Sequence, residues 1–184
     1  NQKKARPAGR SEKDRDPCDG VRFWSAFTHG VGIVLSFIGT VMLFASAVKN
    51  GGDVWKIVSF AVYGVSMMCL YTASTIYHAL RTSVRGRMAL KKYDHISIYL
   101  LIAGTYTPVC LVALRDGVGW WLFGIIWTLA AAGFIMTIYW VTCPRWLSST
   151  VYIAMGWIAI AAVYALWKAL GWRGISYLLV GGVI

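Results

Sequence analysis

Five stretches of this 184-residue chain contain no Asp, Glu, Lys or Arg: Phe23–Val48, Ile57–Leu80, His95–Leu114, Gly117–Pro144 and Trp146–Trp167. A helix needs about 20 predominantly apolar residues to cross the hydrocarbon core of a bilayer, and each stretch is long enough. Water-soluble folds do not concentrate charge this way, since about a quarter of their residues are charged and the charges are spread along the chain. Here only 14% of residues are charged, and they fall in short clusters between the apolar runs. The expected fold is all-α, a polytopic membrane helix bundle.

A sixth uncharged run begins at Gly174 and reaches Ile184, where the sequence stops. Eleven helical residues rise only about 16 Å, roughly half the hydrocarbon thickness. The expectation is therefore five full spans and the start of a sixth, in a chain cut inside a span. Residues 1–22 hold basic and acidic side chains with few large apolar ones, a composition that cannot bury enough surface to order itself. They read as a basic, solvated tail ahead of a transmembrane domain at 23–184. The first apolar run exceeds the 7–15 residues of a signal-peptide core, which favours a retained span.

Lysine and arginine counts in short loops set orientation, because basic loops stay on the cytoplasmic side. A cytoplasmic tail puts the segment Arg81–Lys92 on the same side, and that segment carries five of the eleven basic residues after Arg22. The N-terminus is expected inside a cell membrane. The net charge of +11 is then a topology signal and a contact for anionic lipid, and nucleic acid is not needed to explain it. Trp24, Trp120, Trp121, Trp146, Trp167 and Trp172 sit near run ends, where amphipathic rings favour the headgroup level. Cys18, Cys69, Cys110 and Cys143 lack C-x-x-C spacing and read as free thiols.

Ionisable groups inside a membrane are costly and usually functional. This chain offers His29 in the first span, His78 near the end of the second, and Asp94 with His95 opening the third. With alternating spans all four lie at one membrane depth. Spacing of three, four and seven residues places side chains on one helix face. Tyr71, Ser74 and His78 share a face, as do His29, Gly32, Ser36 and Thr40, and as do Asp94, Ser97, Leu101 and Thr105. His95 lies about 100° away from Asp94 on a helix of 3.6 residues per turn. Neutral imidazole is a common zinc ligand, and a carboxylate nearby can act on a water. The structural alternatives are a packing role for His29, an ion pair of Asp94 with Lys91 or Lys92, and a Ser74 hydroxyl bonded back to its own helix. Pro108, after Thr107, is expected to loosen the third helix by removing a backbone donor.

The strings Ser74-Thr75-Ile76-Tyr77-His78, Tyr93-Asp94-His95-Ile96-Ser97-Ile98-Tyr99, Ala103-Gly104-Thr105-Tyr106-Thr107-Pro108 and Thr28-His29-Gly30 closely resemble the hemolysin III proteins. These group with the progestin and adipoQ receptor family, and the resemblance runs from about Phe23 to Ile184. It implies seven spans with a cytoplasmic N-terminus and a zinc ion held by the His of an S-x-x-x-H motif and by two His of an H-x-x-x-H motif on the last span. An Asp after the second cytoplasmic loop hydrogen-bonds the water. On this resemblance His78 is a zinc ligand, Ser74 lines the site, and Asp94 orients the water. The H-x-x-x-H pair is absent from these residues and is expected beyond Ile184. Relatives often carry Glu and Asn just before the T-H-G string, where Arg22 and Ser25 stand here, so no role transfers at those positions. Three function classes follow: a zinc-dependent hydrolase of a lipid-like amide or ester, a pore-forming or receptor-like protein with a structural metal, and a proton-sensing histidine patch.

Overall fold

A computed structural model describes residues 19–140 and 145–183, so most of the tail lies outside it. The described chain is a succession of helices: α1 (Asp19–Lys49), α2 (Val54–Ala79), α3 (Val84–Pro108), a π-helical turn (Val109–Ala113), α4 (Gly119–Tyr139), α5 (Arg145–Ala161) and α6 (Val163–Val183). Four helical stretches are each long and apolar enough to cross a membrane by length and composition: Arg22–Lys49, Val54–Ala79, Arg85–Ala113 and Gly119–Tyr139.

The distribution of side chains is that of a bundle solvated by lipid. Buried positions on α2 are Ser59, Gly64, Ser66 and Ser74, while Val58, Val65 and Ile76 point outward. Ser36 and Thr40 of α1 are buried too, whereas Phe37, Ile38 and Met42 are exposed. Small residues at helix contacts let backbones approach closely, and the large apolar side chains are left to meet acyl chains. Tyr99, Ala103, Cys110 and Ile126 form the core where α3 meets α4.

The segment expected as a basic loop is mostly helix. Ser83 caps α3, its hydroxyl accepting from the Gly86 amide at 3.3 Å, so Arg85, Arg87, Lys91 and Lys92 lie in the first turns of α3. Long basic side chains can occupy a helix end and still reach water. Lys92 instead reaches sideways: its ammonium donates to the Ile138 carbonyl at 2.7 Å, tying α3 to the last turn of α4. At the far end of α3, Pro108 supplies no amide and the ladder widens at once into the π turn, closed by Leu114 N–H to Val109 O at 3.0 Å.

The fifth expected span, Trp146–Trp167, is not straight. α5 ends at Ala161, and α6 leaves at 74° after a single intervening residue. The cause lies on another helix. The Tyr106 hydroxyl accepts the Ala159 amide at 2.8 Å and lies 2.9 Å from the Met155 carbonyl, which an unbroken helix would pair with that amide. A side chain inserted into the i to i−4 ladder is a recognised cause of sharp kinks. The sixth span, expected from Gly174, is already helical from Val163 and breaks at Gly171, whose φ of 64° favours glycine. Counted as one bent span, α5 and α6 bring the total to five.

Candidate functional site

The site lies where α1 and α3 begin and α2 ends. Gly32 fixes the approach of the first two helices, since a Cβ there would stand 2.6 Å from the Tyr71 ring. With Tyr71 seated on that glycine, His29, one turn earlier on α1, meets the end of α2. Its ring centre is 6.0 Å from Tyr71 and 5.9 Å from His78. Ser74, one turn before His78, is 5% exposed on the same side of α2.

Both His29 and His78 have a buried Nδ1 atom with no hydrogen-bond partner. Burying a polar atom unsatisfied costs on the order of 1–3 kcal/mol, and the large majority of buried polar atoms in native structures are paired with protein, water or an ion. The charged groups whose fields reach His78 are Asp94 of α3 and Arg22 of α1, of opposite sign, together with His29. His95 is different. Its Nδ1 lies 2.9 Å from the Lys91 carbonyl, and its own carbonyl accepts the Tyr152 hydroxyl at 3.3 Å, so the residue links α3 to α5. Of the three imidazoles, two face each other and the third is occupied by the fold.

Among the described residues no three His, Cys, Asp or Glu side chains come together as a metal site. The donor chemistry of His78 still suits a ligand, because its free, buried nitrogen has no competing partner. An apolar groove of about 590 Å³ runs between α2 and α3, lined by Val65, Met68, Cys69, Thr72, Tyr93 and Leu100. None of Ser74, His78 and Asp94 lines it.

The family model described as "Haemolysin-III related" matches residues 23–184. The chain belongs to that family. As a haemolysin-III-related protein it is 42% identical to "Hemolysin-3 homolog" of Bacillus subtilis (strain 168) over 160 residues, which cover 87% of this chain and 74% of the relative. It is 43% identical to "Hemolysin-3" of Bacillus cereus over the same share of this chain and 72% of that protein. A more distant similarity, 24% identity over 87% of this chain and 66% of the relative, reaches the human "Monocyte to macrophage differentiation factor". No solved structure matches. Family membership and the apolar helices together make this haemolysin-III-related chain a multi-pass membrane protein.

The sequence pattern led to His29, His78, Ser74 and Asp94, but it missed the part played by Tyr71. The signal was available in retrospect, since Gly32 and Tyr71 sit at matching distances from the α1–α2 connection. Two identical substitutions test this packing. Gly30 has open space where a Cβ would go, so Gly30→Ala is expected to stabilise α1 by up to about 1 kcal/mol of helix propensity and so raise the unfolding temperature in detergent. Gly32→Ala gains the same propensity but collides with Tyr71, and is expected to lower that temperature.

Proposed function

We propose that this protein is a zinc-dependent membrane hydrolase acting on an amide or ester of a lipid-like substrate, with its site near the cytoplasmic leaflet and its N-terminus inside. The observation that supports the reading is the buried, partnerless Nδ1 of His78, set between His29 and the field of Asp94. In this reading His78 holds the zinc, and two further imidazoles come from beyond Ile184. When bound, zinc supplies Lewis-acid polarisation of water and of a carbonyl oxygen. Asp94 orients the attacking water and accepts its proton, while Lys92, two positions before it, is engaged with the Ile138 carbonyl. Ser74 gives a small, buried wall one turn from His78. The exposed apolar surface of the helices brings the substrate class within reach, because lipid is the solvent there.

A second reading, pore formation or receptor-like action around a structural metal, is favoured by the names of the Bacillus relatives, "Hemolysin-3 homolog" and "Hemolysin-3". A lumen needs polar groups along its whole length. Here His29, His78, Asp94 and His95 gather at one end of the first three helices, which argues against a pore within one chain and leaves an assembly of chains as the form to test.

Asp94→Asn separates the two. Full-length protein in phosphatidylcholine and phosphatidylglycerol vesicles is assayed for dye release and, by mass spectrometry, for cleaved lipid. A proton acceptor contributes about 10²–10⁴-fold to rate, so loss of cleavage on that scale is expected for the variant. Dye release that is undiminished in Asp94→Asn, with no lipid product from either protein, supports the pore and sinks the hydrolase.

A further inference from the structure

We infer that the groove between α2 and α3 holds one acyl chain of an anionic glycerophospholipid, with the phosphate of that lipid at Arg81 and Arg85. The lipid belongs to the leaflet on the side where α2 ends and α3 begins. This site is separate from the one around His78 and does not rest on the zinc reading.

Helical spacing places the groove. Val65, Met68, Cys69, Thr72 and Ile76 line its α2 wall. At about 100° per residue, Cys69 and Ile76 point about 160–180° away from His78, so the groove and the histidine occupy opposite faces of α2. On α3, Tyr93, Ile96 and Leu100 line the other wall, and Arg85 falls with these three in one sector of about 80°. Arg81 follows Leu80, the residue that ends α2 one turn past Ile76. Both arginines are exposed. The mouth of the groove is therefore basic, and no acidic residue occurs between Lys56 and Tyr93 to offset it. The next one, Asp94, lies about 180° round α3 from Arg85.

Size and lining select the occupant. From Ile76 to Val65 α2 extends about 16 Å, close to half of a hydrocarbon core about 30 Å thick. A volume of about 590 Å³ over about that length is a channel about 7 Å across, narrower than the 10–12 Å of a helix with its side chains. An extended acyl chain of one leaflet fits that shape, whereas a helix of a second copy does not. Ser97, the buried polar side chain of the lining, donates its hydroxyl to the Asp94 carbonyl of its own helix at 2.7 Å, which leaves the wall to hydrocarbon. Tyr93, 66% exposed beside the mouth, carries the amphipathic ring that favours the headgroup level. Above it the planar guanidinium fork matches the oxygens of a phosphate.

The test is native mass spectrometry of the purified full-length protein in one detergent, titrated with phosphatidylglycerol or with phosphatidylcholine of the same chains. The wild-type protein is expected to retain one phosphatidylglycerol and to prefer it to phosphatidylcholine. A basic residue at an anionic membrane surface contributes about fivefold, so Arg81→Ala combined with Arg85→Ala should cut that affinity by about 25-fold. Arg173→Ala, which removes an exposed arginine on α6, should leave it unchanged. Cys69→Trp fills the groove from an exposed position on α2 and should lose the lipid with both arginines still in place. If Cys69→Trp does not fold, the arginine variant decides, because surface substitutions away from packing contacts rarely disturb a fold. Equal retention of the two lipids, unchanged binding in the arginine variant, or an equal loss in Arg173→Ala would overturn the inference. So would a dimer in detergent that Cys69→Trp disperses, since a second copy of the chain would then occupy the groove.

Discussion

His78→Ala in the full-length protein is expected to lose its zinc on dialysis, while the wild-type protein keeps close to one equivalent by elemental analysis. The size of the effect follows from the kind of contact removed. Changing a residue that merely supports a ligand costs about 10–100-fold in metal affinity, so removing a ligand should exceed the upper end of that range. At about 1.4 kcal/mol per tenfold, this is a loss of more than about 3 kcal/mol. The fold should tolerate the substitution, because His78 is half-buried next to the end of α2 and its Nδ1 makes no hydrogen bond that would be lost. Equal zinc content in the two proteins would remove His78 from the site and with it the proposed hydrolase.

The second large effect concerns the frame. Gly133→Leu is expected to destabilise the bundle by about 3 kcal/mol or more, at or beyond the usual 1–3 kcal/mol cost of overpacking. Even a Cβ at Gly133 would run into the Tyr99 ring, which is 1% exposed and also packs against Tyr152 at 4.6 Å between centres. That ring has nowhere to move without displacing α5. Gly124 sits on the same helix, and a Cβ there meets nothing within 4 Å. Gly124→Leu is the control, expected to be neutral within about 0.5 kcal/mol. Thermal unfolding of both variants in one detergent measures the difference, and comparable unfolding temperatures would show that the α3–α4 contact is looser than described.

The spans were legible because the cost of a charge in hydrocarbon acts on composition, residue by residue, and needs no knowledge of neighbours. The inward face of α1 was legible for a related reason: Gly32, Ser36 and Thr40 recur at helical spacing, and Ser36 and Thr40 are indeed buried. The start of α3 was not, since the five basic residues of Arg81–Lys92 suggested a loop while the Ser83 cap and the absence of proline favoured helix. The bend between α5 and α6 was not legible either. Nothing in Ala159-Ile160-Ala161-Ala162 breaks a helix; the interruption comes from the Tyr106 hydroxyl, 53 positions away. At the site, the candidates could be named one by one, but the pairing of His29 with His78 depends on the register of two helices, which Gly32 and Tyr71 set together.

The seating of Gly32 on Tyr71 also bears on how the molecule is made. α1 and α2 are joined by a connection of four residues, and among the described residues α1 packs on α2 alone. A helical hairpin of this kind needs no later segment to close, and domains assemble from the N-terminal side during synthesis. The His29–His78 contact can therefore form while Asp94 is still in transit to the bilayer, before the helices that complete the bundle exist.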